Sequence, residues 1–284
     1  MPLPALLLRK NENAHKNDFG HLLVIAGSSA MLGAASLCTL AAMRCGAGLA
    51  SVAVPRSMNS ALQKKLSSVV MTLPLPQTRS GALAFSSYAC LKRAWGRYQA
   101  MAIGPGLGRD PSTGKLARAL VRYAPCPVVV DADALNALDD PGNILEKAAG
   151  PRVLTPHTGE FSRLTGLPVR EIEKEREALA VIFARKWKGV LLLKGNRTVV
   201  ADPRGQLYVN RTGNPGLATA GTGDVLTGMI GAFLAQGLTP FESARWGAFL
   251  HGKSADLAAK EIPRVSLIAT DLIERIPAVF KKLV

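Results

Sequence analysis

A chain of 284 residues in which 48% are hydrophobic and only 19% charged can bury a large core, and this excludes an intrinsically disordered protein. Its apolar runs are too short for a membrane-spanning helix, and residues 1–10 lack both a basic leader and a small-residue cleavage site, so a cytoplasmic protein with no membrane partner is expected. The formal charge of +15 invites a nucleic-acid reading, but the 35 Lys and Arg are scattered and aromatics make up only 5% of the chain; no nucleic-acid partner is expected, and a polyanionic small molecule accounts for part of the bias.

Residues 21–26 (His-Leu-Leu-Val-Ile-Ala) read as a short buried strand ending in Gly27-Ser28-Ser29, and residues 33–44 as an Ala-rich helix closed by Gly46. Strand, small polar turn and helix open a parallel βαβ unit. Further strands are expected at 49–54, stopped by Pro55, and at 68–73, with a helix over 57–66 between them and another over 88–97. Four wholly apolar segments then each run into polar or glycine-rich ends. Residues 100–103 lead to Gly104-Pro105-Gly106-Leu107-Gly108, and 127–130 to Asp131-Ala132-Asp133-Ala134-Leu135-Asn136. Residues 152–154 lead to Thr155-Pro156-His157, and 190–193 to Lys194-Gly195-Asn196-Arg197-Thr198. Continuous apolar strands imply a sheet covered on both faces, and polar groups at strand carboxyl ends mark where open α/β sheets bind ligands. Two β-prone runs around Asp202-Pro203-Arg204-Gly205 predict an antiparallel flap, and helices over 224–236, 241–260 and 270–282 close the chain. With no linker and no internal repeat, the expectation is one domain over residues 1–284.

The stretch 214–228, Asn-Pro-Gly-Leu-Ala-Thr-Ala-Gly-Thr-Gly-Asp-Val-Leu-Thr-Gly, bears the strongest chemical signal. Small residues leave main-chain N–H groups uncovered at the start of a helix, where the helix dipole favours an anion. Asp224 reads equally well as a helix cap and as a general base beside a transferable phosphoryl group. Other phosphate signatures fail: Gly108 to Lys115 has one residue too many for a P-loop, and Arg109 takes the third glycine position of a dinucleotide fingerprint. Lys194, at the mouth of a buried sheet, is expected to meet an anion. Asp131 and Asp133 read as caps or as magnesium ligands. His157 and Glu160 are expected on one helical face, or in a capping box that uses Thr155 or Thr158. Cys38, Cys45, Cys90 and Cys126 show neither disulfide nor zinc spacing, and His15, His21 and His251 show no metal-ligand spacing.

Taken in order, His15-Lys16-x-Asp18-Phe19-Gly20-His21, Ala26-Gly27-Ser28, Arg44-x-Gly46-Ala47-Gly48, the 104–108 and 131–136 blocks, Thr155-Pro156-His157-x-Gly159-Glu160, Lys194-Gly195 with Thr198, and the 214–228 stretch resemble the ADP/ATP-dependent NAD(P)H-hydrate dehydratases of the ribokinase-like superfamily. The resemblance runs from about residue 15 to 280; only residues 28–32 are less glycine-rich than the family pattern. It implies a ribokinase-like three-layer sandwich: an α/β fold with a mostly parallel central sheet, helices on both faces and a small β-hairpin. It implies repair of the S form of hydrated NADH or NADPH, in which ADP (or ATP) phosphorylates the ring hydroxyl and phosphate then leaves, with a ribokinase-like kinase of a small alcohol as the alternative. By the resemblance Asp224 is the base, and Ala220, Gly221, Thr222 and Gly223 form the anion hole. Ala34, Gly106, His157 and Asp224 contact the hydrate; Lys194, Gly195, Asn196, Arg197, Thr198 and Gly223 hold the AMP part of the nucleotide; Glu160 reaches Mg2+ through water. A homotetramer is expected, together with functional partnership with a separate NAD(P)H-hydrate epimerase.

Overall fold

The computed structural model describes residues 3–8, 11–66 and 68–284; Met1, Pro2, Arg9, Lys10 and Ser67 lie outside the described residues, and the reading of residues 1–10 falls partly on them. The strands are β1 His21–Ile25, β2 Leu49–Pro55, β3 Met71–Leu75, β4 Ala100–Ile103, β5 Val128–Val130, β6 Arg152–Leu154, β7 Val190–Leu193, β8 Val199–Ala201 and β9 Leu207–Val209. The helices are α1 Leu32–Arg44, α2 Asn59–Gln63, α3 Ser87–Ala94, α4 Pro111–Tyr123, α5 Ala132–Asn136, α6 Pro141–Glu146, α7 Thr158–Thr165, α8 Val169–Lys174, α9 Arg176–Lys186, α10 Thr222–Ala235, α11 Pro240–Ala258 and α12 Ala269–Lys281. All nine strands join one sheet in the order β3-β2-β1-β4-β5-β6-β7-β8-β9. Every pairing from β3 across to β7 is parallel, so the carboxyl ends of β1, β4, β5, β6 and β7 lie along one edge.

The apolar strands have the physical consequence expected of them. Alternate residues of a strand face opposite sides; in β1, Leu22 and Val24 enter a core shared with α1, α10, α11 and α12. Leu23 and Ile25 enter a second core shared with α3, α4, α7 and α9. Three layers result, helix–sheet–helix. At the centre of the first core α10 is buried almost all round, through Val225, Met229, Ile230 and Phe233. Each such side chain contributes about 1.5–3 kcal/mol on burial, so the first turn of α10 stands on one of the firmest supports in the molecule.

Three features differ from the sequence reading. The third strand runs Met71–Leu75 and not 68–73, taking in Pro74. It pairs only with β2 at the sheet edge, where a proline without an N–H costs no ladder bond. The helix read over 57–66 is α2 alone, preceded by a 3-10 turn at Arg56–Met58. The hairpin is no separate flap: β8 pairs antiparallel with β7, Leu192 opposite Val200, and β9 with β8, so the hairpin extends the central sheet. All three residues of β8 are buried, a length of apolar chain that a solvent-exposed flap would leave uncovered.

Candidate active site

The chain runs from β1 to β2 and β3 on one side and returns to β4 on the other, so the strand order reverses between the parallel neighbours β1 and β4, the position where open α/β sheets form a crevice. The loops there are tied together: Gly27 N–H donates to Pro105 O at 2.8 Å and Gly104 N–H to Ile25 O at 3.2 Å. Gly106 sits in the left-handed region at φ 63°, and a Cβ on it would stand 2.7 Å from Met31 O and 3.0 Å from the Ala34 Cβ. Only glycine fits there, and its fit brings Gly106 and Ala34 side by side at the crevice rim.

Further along the same edge a polar cluster forms from residues far apart in sequence. Asp131, 1% exposed, accepts from Lys194 Nζ at 2.8 Å through Oδ1 and from the Thr227 hydroxyl at 2.7 Å through Oδ2. It makes no side-chain cap for α5. Ala132, the next residue, has φ 47°, a left-handed conformation that costs a non-glycine residue about 1 kcal/mol or more. Asp133 lies beyond that kink; it accepts from Gly108 N–H at 2.9 Å and from the Asn136 amide at 3.2 Å. Lys194 also lies 3.9 Å from Glu160 Oε2. Burial pulls its pKa down, but the carboxylates of Asp131, Glu160 and Asp224 outweigh that and hold it above the usual lysine range. The anion that Lys194 meets first is thus internal.

The first turn of α10 faces this cluster. Gly221, at φ 87°, is the N-cap, a conformation that makes the tight entry possible. A Cβ on Gly223 would sit 3.6 Å from Lys194 Nζ. Among the described residues the N–H groups of Ala220, Gly221, Gly223 and Asp224 have no hydrogen-bond acceptor, while Thr222 N–H reaches Thr219 O at a long 3.4 Å. Asp224 is not the cap, and its carboxylate takes no hydrogen bond from the described residues. Burial, with the charge of Asp131 adding, Lys194 opposing and Asp133 adding less, pushes its pKa up to about 7. Below the turn, buried His251 donates its Nε2–H to Thr222 O at 2.9 Å; burial pushes its pKa down to about 4, so the ring is neutral. The acid is left unpaired while its supports are fully engaged.

His157 and Glu160 meet through a capping box, and His157, not Thr155 or Thr158, is the capping residue. Its Nδ1 accepts from Gly159 N–H at 3.0 Å and Glu160 N–H at 3.2 Å, and Glu160 Oε2 accepts from His157 N–H at 2.9 Å. With Nδ1 an acceptor, the neutral ring carries its proton on Nε2, 3.5 Å from Glu160 Oε1. His157 pairs with Lys194 as an isolated parallel bridge, placing it at the lysine loop. In that loop Gly195, Asn196 and Arg197 are exposed, Arg197 has φ 56°, and Thr198 Oγ1 donates to Gly195 O at 3.2 Å. The structure therefore gathers Lys194, His157, Glu160, Gly223 and Asp224 in one region, with Ala34 and Gly106 at the β1–β4 rim.

Sequence reasoning did not single out Thr227, His251 or Arg176. Thr227 follows Asp224 by three residues, one helical turn, and that spacing was a usable signal. Arg176 had none: it donates to Leu193 O at 2.9 Å and Lys194 O at 3.0 Å, bracing the lysine loop from below. No group of three or more His, Cys, Asp or Glu among the described residues forms a metal cage. Both Glu160 oxygens already face protein partners, a donor set that suits a cation held mainly by phosphate and water.

A reversing parallel sheet, a glycine-rich turn opening a buried helix and an unpaired acid in that helix define a ribokinase-like protein. A ribokinase-like superfamily protein of Enterococcus faecalis V583 matches with TM-score 0.81 at 27% identity, over 97% of this chain and 91% of that one. The model of the NAD(P)H-hydrate dehydratase family matches residues 22–278, and the chain belongs to that family. The ADP-dependent (S)-NAD(P)H-hydrate dehydratase of Bacillus subtilis is 38% identical over 280 residues, 98% of this chain and 95% of that protein. A crystal structure of ADP/ATP-dependent NAD(P)H-hydrate dehydratase from Bacillus subtilis, co-crystallised with ATP/Mg2+, matches with TM-score 0.84 at 34% identity, over 100% of this chain and 95% of that one. The bifunctional NAD(P)H-hydrate repair enzyme of Moorella thermoacetica is 45% identical over 277 residues; the match takes in 98% of this chain but only 52% of that protein.

Proposed function

We propose that this chain dehydrates the S form of hydrated NADH and NADPH at the expense of ADP, with ATP as the alternative donor. The observation that carries the proposal is the unpaired, half-buried Asp224 carboxylate at the N-terminal turn of α10, beside main-chain N–H groups with no acceptor. Asp224 takes the proton of the ring hydroxyl as its oxygen attacks the terminal phosphorus of ADP, and the P–O bond to AMP breaks. The N–H groups of Ala220, Gly221 and Gly223, with Thr222 contributing less, stabilise the charge on the migrating phosphoryl group. The ring C–O bond then breaks, phosphate leaves, and loss of a neighbouring ring proton restores the double bond. Phosphate is the better leaving group, which is why the hydroxyl is phosphorylated first.

Ala34, Gly106 and His157 hold the hydrate, and Lys194, Gly195, Asn196, Arg197, Thr198 and Gly223 hold the AMP part of the nucleotide. The pairing of Lys194 with Asp131 supports a positioning role for this lysine at the loop, in addition to any contact with phosphate. Glu160 would hold Mg2+, which when bound would supply charge neutralisation on the phosphates. An NAD(P)H-hydrate epimerase is the functional partner, a reading supported by the bifunctional relative of which this chain matches about half. The proposal includes a homotetramer, which the family resemblance implies, and a cytoplasmic setting, expected from the sequence; no helix among the described residues is long and apolar enough to cross a membrane. Incubation with ADP, magnesium and hydrated NADH tests the proposal: reduced-nicotinamide absorbance returns and AMP and phosphate accumulate in equal amounts. ADP consumption only with some other alcohol would replace it with a small-molecule kinase.

A further inference from the structure

Leu107 and Gly108, at the end of the 104–108 loop, and Asp133 and Asn136 of the 131–136 turn line a second hollow. It is a cavity of about 320 Å³ beside α4, lined by Arg109, Arg118, Arg163, Asp133 and Asn136 among others. That volume lies at the lower end of the roughly 300–1,000 Å³ typical of small-molecule sites, room for one half of a dinucleotide. Asp133 joins the two spaces, because it holds Gly108 N–H in the wall and its charge reaches the Asp224 carboxyl.

The cavity carries acids as well as guanidiniums, and the acids are already answered. Asp110 accepts from the Ser80 hydroxyl at 2.7 Å and from Ser112 N–H at 2.9 Å. Asp139 faces Arg118 at 3.3 Å, and Asp133 takes Gly108 and Asn136. The guanidiniums are not spent. Arg163 gives one donor to Leu135 O at 2.8 Å, and Arg118 gives one to Ala137 O at 2.9 Å in addition to Asp139. Arg109 is exposed at the cavity mouth and makes no hydrogen bond to the described residues. A guanidinium has five donors in a fixed fork that matches phosphate oxygens, so most of this donor capacity, on three residues that line the hollow, has no partner among the described residues.

We infer that this cavity takes the phosphate-bearing adenylate half of the NAD(P)H hydrate, with Arg109 and Arg163 on its phosphates and Asn136 on its sugar, while the nicotinamide half lies against Asp224. The inference rests on the proposed function. Position favours the hydrate over ADP as the occupant: the wall begins at Leu107, the residue after Gly106, the proposed hydrate contact, whereas the nucleotide loop at 194–198 lies two strands away from β5 at the end of β7. Binding energy from this remote half would be used to orient the ring at the acid.

The test compares kcat/KM for NADPH hydrate with kcat/KM for hydrated reduced nicotinamide mononucleotide, which lacks the adenylate half, at saturating ADP. In the wild type the full dinucleotide is preferred, and the ratio falls at least tenfold in Arg163→Gln and in Arg109→Gln. Because Arg163 also ties α7 to α5, the exposed Arg109 is the variant that leaves folding contacts alone. A ratio within twofold of wild type in both variants overturns the inference and leaves the proposed function standing. A wild type that regenerates neither reduced nucleotide overturns both.

Discussion

Asp131 and Asp224 are two acids on the same edge of one sheet, and they are treated in opposite ways. Asp131 is sealed, with one oxygen on the Lys194 ammonium and the other on the Thr227 hydroxyl. Asp224, a turn before Thr227 on α10, has neither partner, and its pKa is raised to about 7 by burial and by the charge of Asp131. A fully satisfied carboxylate serves as a fixed charge. An unsatisfied one, held near neutrality by its surroundings, is able to exchange a proton at working pH.

The largest break of that contrast is Asp224→Asn. It removes the base and is expected to lower kcat about 10³-fold or more, within the range of roughly 10²–10⁴ for general-base catalysis, while calorimetry finds ADP affinity within a few-fold of wild type. Unchanged turnover would refute the base assignment. The wild-type kcat/KM should fall as pH drops through about 7, because the carboxyl must be ionised to accept a proton.

Next in size is Asp131→Asn, which leaves the Lys194 ammonium, only 20% exposed, without its partner. Breaking a buried pair in this way costs about 3 kcal/mol or more, read as a lower urea midpoint. Loss of the negative charge also relieves Asp224, so the acidic limb of the pH profile moves to lower pH.

A linkage experiment sharpens the comparison further. The Asp224 carboxyl is raised from 3.8 in the free side chain to about 7 in the fold, so the folded state holds its proton more tightly than the unfolded chain. Below about pH 4 both states are protonated and nothing is lost; between about 4 and 7 the unfolded chain releases the proton first, so stability falls as pH rises. Asp224→Asn abolishes that loss and should be more stable than wild type at pH 8 by on the order of 2–4 kcal/mol, with the gain shrinking towards pH 4. Equal gains at both pH values would show that the acid is not strained by ionisation. The smallest effect is Thr227→Val, which removes one hydrogen bond to a buried carboxylate and should cost about 1–3 kcal/mol with kcat reduced far less than in Asp224→Asn.

Much of this architecture was legible from local pattern. Apolar runs of strand length ending at Gly104, Asp131, His157 and Lys194 mark both the covered sheet and its ligand-binding edge, since burial on two faces demands unbroken hydrophobicity. The hairpin turn at 202–205 was legible too, but not that β8 would join β7, because an apolar three-residue strand carries no record of which edge it will cover. His157 in place of a threonine as the capping residue was missed for a similar reason: its Nδ1 becomes an acceptor only once the chain enters α7 at Thr158 and turns the Gly159 and Glu160 N–H groups back towards it.

What the sequence by itself determined is the set of strands, the glycine-lined entry to α10 and the identity of the acid at its first turn, all properties of residues within a few positions of one another. Tertiary structure alone decided which acid would be paired. Lys194 meets Asp131 across 63 residues and Thr227 meets it across 96, through a strand order that places β5 between β4 and β6. Charge and burial at Asp224 are sums over those distant neighbours, and no local stretch of chain contains them.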